Sequence, residues 1–122
     1  MSKYTTEMVF PYPQQICFEF LSTPENLLEM MPSEVKGEWV DAPEAIIEGA
    51  ELEFRFVVYG IPQQVRYLVM KHEPFSLIVE KQIKGPFKHW QQTHRFTPSG
   101  SDETLIQFEV EFECPGGMLG ML

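Results

Sequence analysis

Basic side chains are scarce in this chain, with nine Lys and Arg against eighteen Asp and Glu and a formal net charge of −9 in 122 residues. That balance argues against nucleic acid as a partner, because binding it draws mainly on Lys and Arg facing phosphates. It disfavours an anionic membrane surface for the same reason. No apolar run approaches the roughly eighteen residues that would mark a membrane-spanning helix, so no integral membrane segment is expected. The N-terminus, Met-Ser-Lys-Tyr-Thr-Thr-Glu, has no apolar run behind its positive charge, and no signal peptide is expected. Cysteine is limited to Cys17 and Cys114, without metal spacing. A cytoplasmic protein with two buried, inert thiols is the simplest reading. Repeats, linkers and low-complexity tracts are missing as well, which leaves one domain, 1–122, long enough to bury about two-thirds of its unfolded surface.

What the chain does have is aromatic side chains: ten Phe, four Tyr and two Trp. Residues 3–10 read as a strand. A short amphipathic helix follows, with Pro13 near its first position and Ile16, Cys17, Phe20 and Leu21 on one side. Ser22-Thr23-Pro24-Glu25 carries an S-x-x-E capping pattern and opens a second short helix bearing Leu27, Leu28 and Met31, closed by Pro32. Strand signals dominate from there. Residues 36–41 hold Trp39. Leu52, Phe54, Phe56 and Val58 alternate with neighbours of opposite parity. Gly60-Ile61-Pro62 turns into a strand over 63–73. Residues 76–84 and 87–97 form two arms around Gly85-Pro86. In the last strand Ile106, Phe108, Val110, Phe112 and Cys114 face one way, and Gln107, Glu109, Glu111 and Glu113 the other. This order predicts an α+β domain with an antiparallel meander of about seven strands.

Several stretches resemble the START/SRPBCC superfamily, the helix-grip fold of pollen-allergen-like proteins, lipid-transfer domains and polyketide cyclases. They are Pro13-Gln-Gln-Ile-Cys-Phe-Glu-Phe-Leu, Thr23-Pro-Glu-Asn-Leu, Gly60-Ile-Pro and the segment from Glu80 to Phe96. In that segment Gln82, Trp90 and His94 fit the pattern of the bacterial ligand-binding branch, a Gln before Gly-Pro and then a Trp followed by a His. The resemblance implies a curved sheet, two short helices after the first strand and a long C-terminal helix gripped by the sheet. Here that helix looks missing or truncated, since Gly116, Gly117 and Gly120 fall where it would begin and each costs about 1 kcal/mol relative to Ala. A homodimer covering the open concave face is therefore expected, because a large bare apolar face is unusual on a monomer.

The second arm places Trp90, Gln92, His94 and Phe96 on one face. With the resemblance, Trp90, Gln92, His94 and Gln82, together with Phe54, Phe56, Phe108 and Phe112, become candidate ligand-binding residues in a pocket for a lipid, isoprenoid or polyketide-like molecule. Met30, Met31, Met118 and Met121 fall near the expected cavity mouth and would suit varied apolar shapes. Register decides part of this. A two-residue turn puts Trp90 on the side of Lys81 and Ile83, and a three-residue loop puts it on the side of Glu80 and Gln82. The hydrophobicity of Leu77, Val79 and Ile83 favours the first and the family pattern the second, toward which the reading leans. In that case Glu80 is a carboxylate in an apolar cavity, and with His94 it forms the acid–base pair of an alternative cyclase/dehydratase reading. Another alternative is an interaction module gripping a partner's helix. No catalytic residue is assigned. The three histidines, His72, His89 and His94, do not suggest a metal, since His89 and His94 have opposite strand parity and Glu109, Glu111 and Glu113 do not converge. Neither a metal nor a cofactor is expected.

Overall fold

A computed structural model describes residues 1–31 and 33–114. Period-two alternation becomes seven strands: β1 (Ser2–Phe10), β2 (Val35–Asp41), β3 (Glu51–Val58), β4 (Ile61–Glu73), β5 (Leu77–Lys84), β6 (His89–Pro98) and β7 (Thr104–Glu113). Two short helices, α1 (Gln14–Leu21) and α2 (Pro24–Glu29), follow β1. All strands join one antiparallel sheet in the order β1-β7-β6-β5-β4-β3-β2. The consecutive strands β1 and β2 therefore sit at opposite edges, and α1 and α2 carry the chain across one face between them. The result is an α+β helix-grip fold. The expectation of a missing C-terminal helix concerns residues 115–122 and lies outside the described residues, as does the closure of the second helix by Pro32.

Residues directly opposite in an antiparallel pair point to the same side. The helix-covered face can thus be read in rows. One row is Ile78, His94, Phe108 and Thr6, and the next is Val69, Glu80, Gln92, Val110 and Tyr4. On the far half of the sheet Leu52, Phe54 and Phe56 of β3 share this face with Trp39 of β2 and Val65 of β4. The pairs Glu80–Gln92 and Lys81–Gln91 put Glu80 and Gln82 on the Trp90 side, the register of a three-residue loop. Ile83, whose hydrophobicity argued for the other register, is 47% exposed.

Two apolar clusters lie between helices and sheet. In the first, Phe18 and Cys17 of α1 pack on Ile78, Phe96 and Ile106. In the second, Ile46, Leu52 and Val69 are joined by Leu27 and Trp39. The acidic loop between β2 and β3 is tied down there. Ile46 N–H donates to the Ser22 carbonyl at 2.8 Å, and Val69 N–H to the Ala50 carbonyl at 2.9 Å. Trp39 Nε1 donates to the Pro24 carbonyl at 2.8 Å and so fastens the edge strand β2 to α2.

One local expectation is corrected. Thr23, not Ser22, is the N-cap of α2, and it makes no side-chain cap bond. Ser22 instead ends α1, and its hydroxyl meets His72 Nε2 at 2.9 Å. Proline at the first helical position already removes one orphan N–H from α2. A shift of register between Val69 and Lys71 makes the pairing possible, because it returns His72 to the helix-covered face opposite Ile78.

Gly37 shows how tightly the β2 edge is packed. A Cβ there would fall inside the van der Waals envelope of the Phe54 ring, which itself lies against Trp39 at a centroid distance of 4.9 Å. Gly37→Ala should cost about 1–3 kcal/mol by overpacking. Urea unfolding checks this, and an unchanged midpoint would show that Phe54 has room to move.

Candidate functional site

Beneath α1 the sheet and helices leave a hollow of about 560 Å³. Thr6, Met8, Phe10, Ile106, Phe108 and His94 line it from β1, β7 and β6, while Tyr12, Ile16, Cys17, Phe20, Leu21 and Met30 line it from the segment that follows β1 and carries the helices. The hollow exists because α1 leans on Phe18, whose ring meets His72, Phe75 and Phe96 at centroid distances of 4.7, 5.8 and 5.3 Å. That contact holds one side of the helix on the sheet and leaves the adjoining side, Ile16 and Phe20, 52% and 40% exposed along the rim. A volume of this size is in the usual range for small-molecule sites. A smaller depression, about 400 Å³, lies mainly over the opposite face and is lined by Thr5, Glu7, Thr93, Arg95, Gln107 and Glu109 among others. Its charged and hydroxyl lining offers little apolar surface to bury, which makes it a poorer site for an apolar guest than the hollow.

All eight anticipated side chains share the helix-covered face, but they do not form one site. His94 and Phe108 line the hollow, with ring centroids 4.8 Å apart. Trp90 and Phe112 lie two rows away and cluster with Phe87, at centroid distances of 4.8 Å (Phe87–Trp90), 6.0 Å (Phe87–Phe112) and 5.9 Å (Trp90–Phe112). Phe54 and Phe56 stack at 5.9 Å on the far half of the sheet. Of the anticipated methionines, Met30 lines the hollow; Met118 and Met121 lie outside the described residues.

The polar groups are largely engaged with one another. Trp90 Nε1 donates to Gln92 Oε1 at 2.9 Å, and Gln92 Nε2 donates to Glu80 Oε1 at 3.0 Å. Gln82 Nε2 donates to the Phe87 carbonyl at 2.7 Å and holds the Gly85–Phe87 loop shut. Both ends of the Gln92 amide are thereby used. His94 differs: among the described residues no hydrogen bond reaches its ring.

Burial sets the charge states. Glu80, 7% exposed, has its carboxyl pushed above the ordinary value by desolvation, partly offset by the Gln92 bond. Burial pulls His94 down to about 4. It also raises Tyr67, opposite Gln82, to about 12, with the Glu80 charge adding to the effect. Tyr67 was not singled out from the sequence, and His72 was weighed only as a metal ligand. Tyr67 had a signal, the alternation of Val65, Tyr67 and Val69, whereas His72 reaches this face only through the β4 irregularity. Among the described residues no three His, Cys, Asp or Glu cluster as metal ligands.

A carboxyl raised by folding contributes stability while protonated and loses it as pH rises from its unfolded value of 4.5 through its folded value. Glu80→Gln keeps an acceptor for Gln92 and removes the ionisation cost. It should therefore raise the thermal midpoint at pH 8 and change it little at pH 4.5. A lower midpoint at pH 8 would show that the ionised carboxylate has a favourable partner.

An open antiparallel sheet with α1 and α2 laid across it, and an apolar hollow between them, defines a helix-grip domain of the START/SRPBCC class. Solved structures share this fold. They include protein CV1439 from Chromobacterium violaceum, TM-score 0.78 at 11% identity, covering 93% of this chain and 81% of that one. Protein TTHA0849 from Thermus thermophilus aligns with a TM-score of 0.72 at 21% identity, over 98% and 82% of the two chains. Norcoclaurine synthase from Thalictrum flavum, solved with dopamine and hydroxybenzaldehyde, aligns with a TM-score of 0.73 at 16% identity, over 99% and 74%. No curated protein matches the sequence significantly. The family model described as polyketide cyclase / dehydrase and lipid transport matches residues 10–122, and the chain belongs to that family.

Proposed function

We propose that the protein binds or carries a small hydrophobic or amphipathic molecule, without catalysis, in the hollow beneath α1. The observation that carries this reading is the hollow itself: about 560 Å³ of mostly apolar lining, with the imidazole of His94, unbonded among the described residues, in its wall. Apolar burial would supply affinity at about 25 cal/mol per Å² of ligand surface, before the costs of association. Trp90, Gln92 and Gln82 support the wall by fixing the β5–β6 hairpin, and Phe108 contacts the guest beside His94. Phe112, Phe54 and Phe56 contribute the remainder of the apolar face. Native mass spectrometry of the purified protein should show a co-purifying molecule of a few hundred daltons, released by organic solvent, or uptake of an added long-chain alcohol such as 1-dodecanol at one per chain. Failure of both would end the proposal.

The same reading includes a homodimer through the rim, where Met8, Ile16 and Met30 are 60%, 52% and 54% exposed. Sedimentation velocity at micromolar concentration should give a two-chain species, and a monomer would remove this part. A cytoplasmic setting suits Cys17 and Cys114, which form no disulfide. No helix among the described residues is long and apolar enough to cross a membrane.

One observation favours a second reading. Burial pushes the Glu80 carboxyl up and the His94 imidazole down, so one face carries a carboxyl and an imidazole that are both moved away from their charged forms, the direction acid–base chemistry uses. Against it, Glu80 bonds to Gln92, and among the described residues no hydrogen bond joins it to His94. Turnover of a poly-β-keto test substrate that drops to background in both Glu80→Gln and His94→Leu would establish the cyclase/dehydratase alternative.

A further inference from the structure

The distribution of charge around the hollow narrows what can occupy it, on the premise that the hollow is the binding site. All nine lysines and arginines lie on the face away from the helices or at the β5–β6 turn. Lys3 and Arg55 form outward ion pairs with Glu109 and Glu38. Arg66 is engaged by Asp41, Glu51 and Glu53, and Lys88 in the turn by Glu113. No cationic side chain of the described residues lines the hollow. Its acidic lining residue, Glu7, belongs by register to the outer face, where Gln107 Nε2 donates to it at 3.3 Å. Among the described residues no hydrogen bond reaches either nitrogen of the His94 ring, which is held against Phe108 on the inner wall, with the uncharged Thr6 hydroxyl in the same row.

A neutral imidazole offers one donor and one acceptor, with no charge. A carboxylate, phosphate or sulfate drawn into this hollow would lose its hydration without meeting a counter-ion, which is strongly unfavourable. A hydroxyl or carbonyl has no charge to desolvate, and the ring restores one of the hydrogen bonds it gives up to water. We infer that the ligand is an uncharged molecule with one hydrogen-bonding head, an alcohol, phenol or ketone, seated against His94 with its apolar body under α1. Fatty acids and phospholipid headgroups are excluded from that inner position. Phe10, Ile106 and Leu21 surround the body of the guest, and Met30 adapts to its end.

The test uses two probes of equal length, 1-dodecanol and dodecanoate, each displacing the neutral dye Nile red from the full chain at pH 7.5. Dodecanol should bind at least tenfold more tightly. His94→Leu should weaken dodecanol about tenfold while leaving dodecanoate affinity within twofold, each corrected for the variant's own directly titrated Nile red affinity, and its circular dichroism and thermal midpoint report whether it folds. Dodecanoate binding as tightly as dodecanol would overturn the inference and leave the binding function standing. Equal dodecanol affinity in His94→Leu would likewise overturn the assigned role of the ring. Binding of neither probe overturns both the inference and the function on which it rests.

Discussion

Phe18→Ala is expected to lower the unfolding free energy by about 3–5 kcal/mol, the range for a fully buried phenylalanine removed from a core. Phe18 is 4% exposed and meets three rings from two separate parts of the sheet, His72 and Phe75 around the β4–β5 turn and Phe96 in β6. α1 is only eight residues long, too short to be stable by its own propensity, so this contact decides whether the helix is there at all. The loss should reach function as well. With α1 detached the hollow loses the wall formed by Ile16, Cys17, Phe20 and Leu21, and Nile red should no longer be retained. Urea unfolding monitored by Trp39 and Trp90 fluorescence measures the first effect and dye binding the second. A cost below about 1 kcal/mol would mean that α1 is held by other contacts, with the Gln14 Nε2 bond to the Phe96 carbonyl at 3.0 Å the first to examine.

The second large effect is the acid sensitivity carried by His94. Its folded value of about 4 lies below the ordinary 6.5 because burial penalises the charged ring. The sign follows from proton counting. Between those two values the unfolded chain binds the proton and the native protein does not, so stability is fully present above pH 6.5 and falls as pH drops toward 4. At about 1.36 kcal/mol per unit the total is about 3 kcal/mol, most of it lost by about pH 4.5. Glu80 acts in the opposite direction over part of this range, so the informative quantity is the difference between wild type and His94→Leu. Their stability gap should change by about 2–3 kcal/mol between about pH 7.5 and 4.5, with the wild type the more sensitive. A gap independent of pH would place a protonated imidazole in contact with a compensating acceptor.

The face of nearly every strand was legible in the sequence, because period-two alternation states directly which side chains share a side. Leu52-Phe54-Phe56 and Ile106-Phe108-Val110-Phe112 needed no other information. The Glu80–Gln92 register was not decidable from hydrophobicity, since Leu77, Val79 and Ile83 pulled one way and the pattern around Gly85 the other. Long-range hydrogen bonds settle it in the fold. Gln82 reads in the sequence as a ligand contact, and in the fold its amide reaches the Phe87 carbonyl and clasps the loop, a partner the sequence did not indicate. Ser22 reads as a helix cap and is instead a partner of His72 across fifty residues of chain. In both cases the side-chain type states correctly that a hydrogen bond is needed, and the partner depends on strand geometry beyond local sequence. The hollow was equally hidden. Its lining joins both sides of the chain's first crossing, and nothing in the pattern of Ile16, Phe20 and Met30 states that α1 stands off the β1–β7 corner.

Binding as proposed requires a guest in the space under α1 with its head at His94. Isotope-edited NMR of methyl-labelled protein titrated with 1-dodecanol addresses that most directly. Intermolecular NOEs should connect the alkyl chain to Ile16, Leu21, Met30 and Ile106 methyls, with the hydroxyl-bearing carbon nearest the His94 ring. NOEs confined to Val65 and Val69 on the far half of the sheet, or an alkyl chain that contacts no methyl of the hollow, would contradict it.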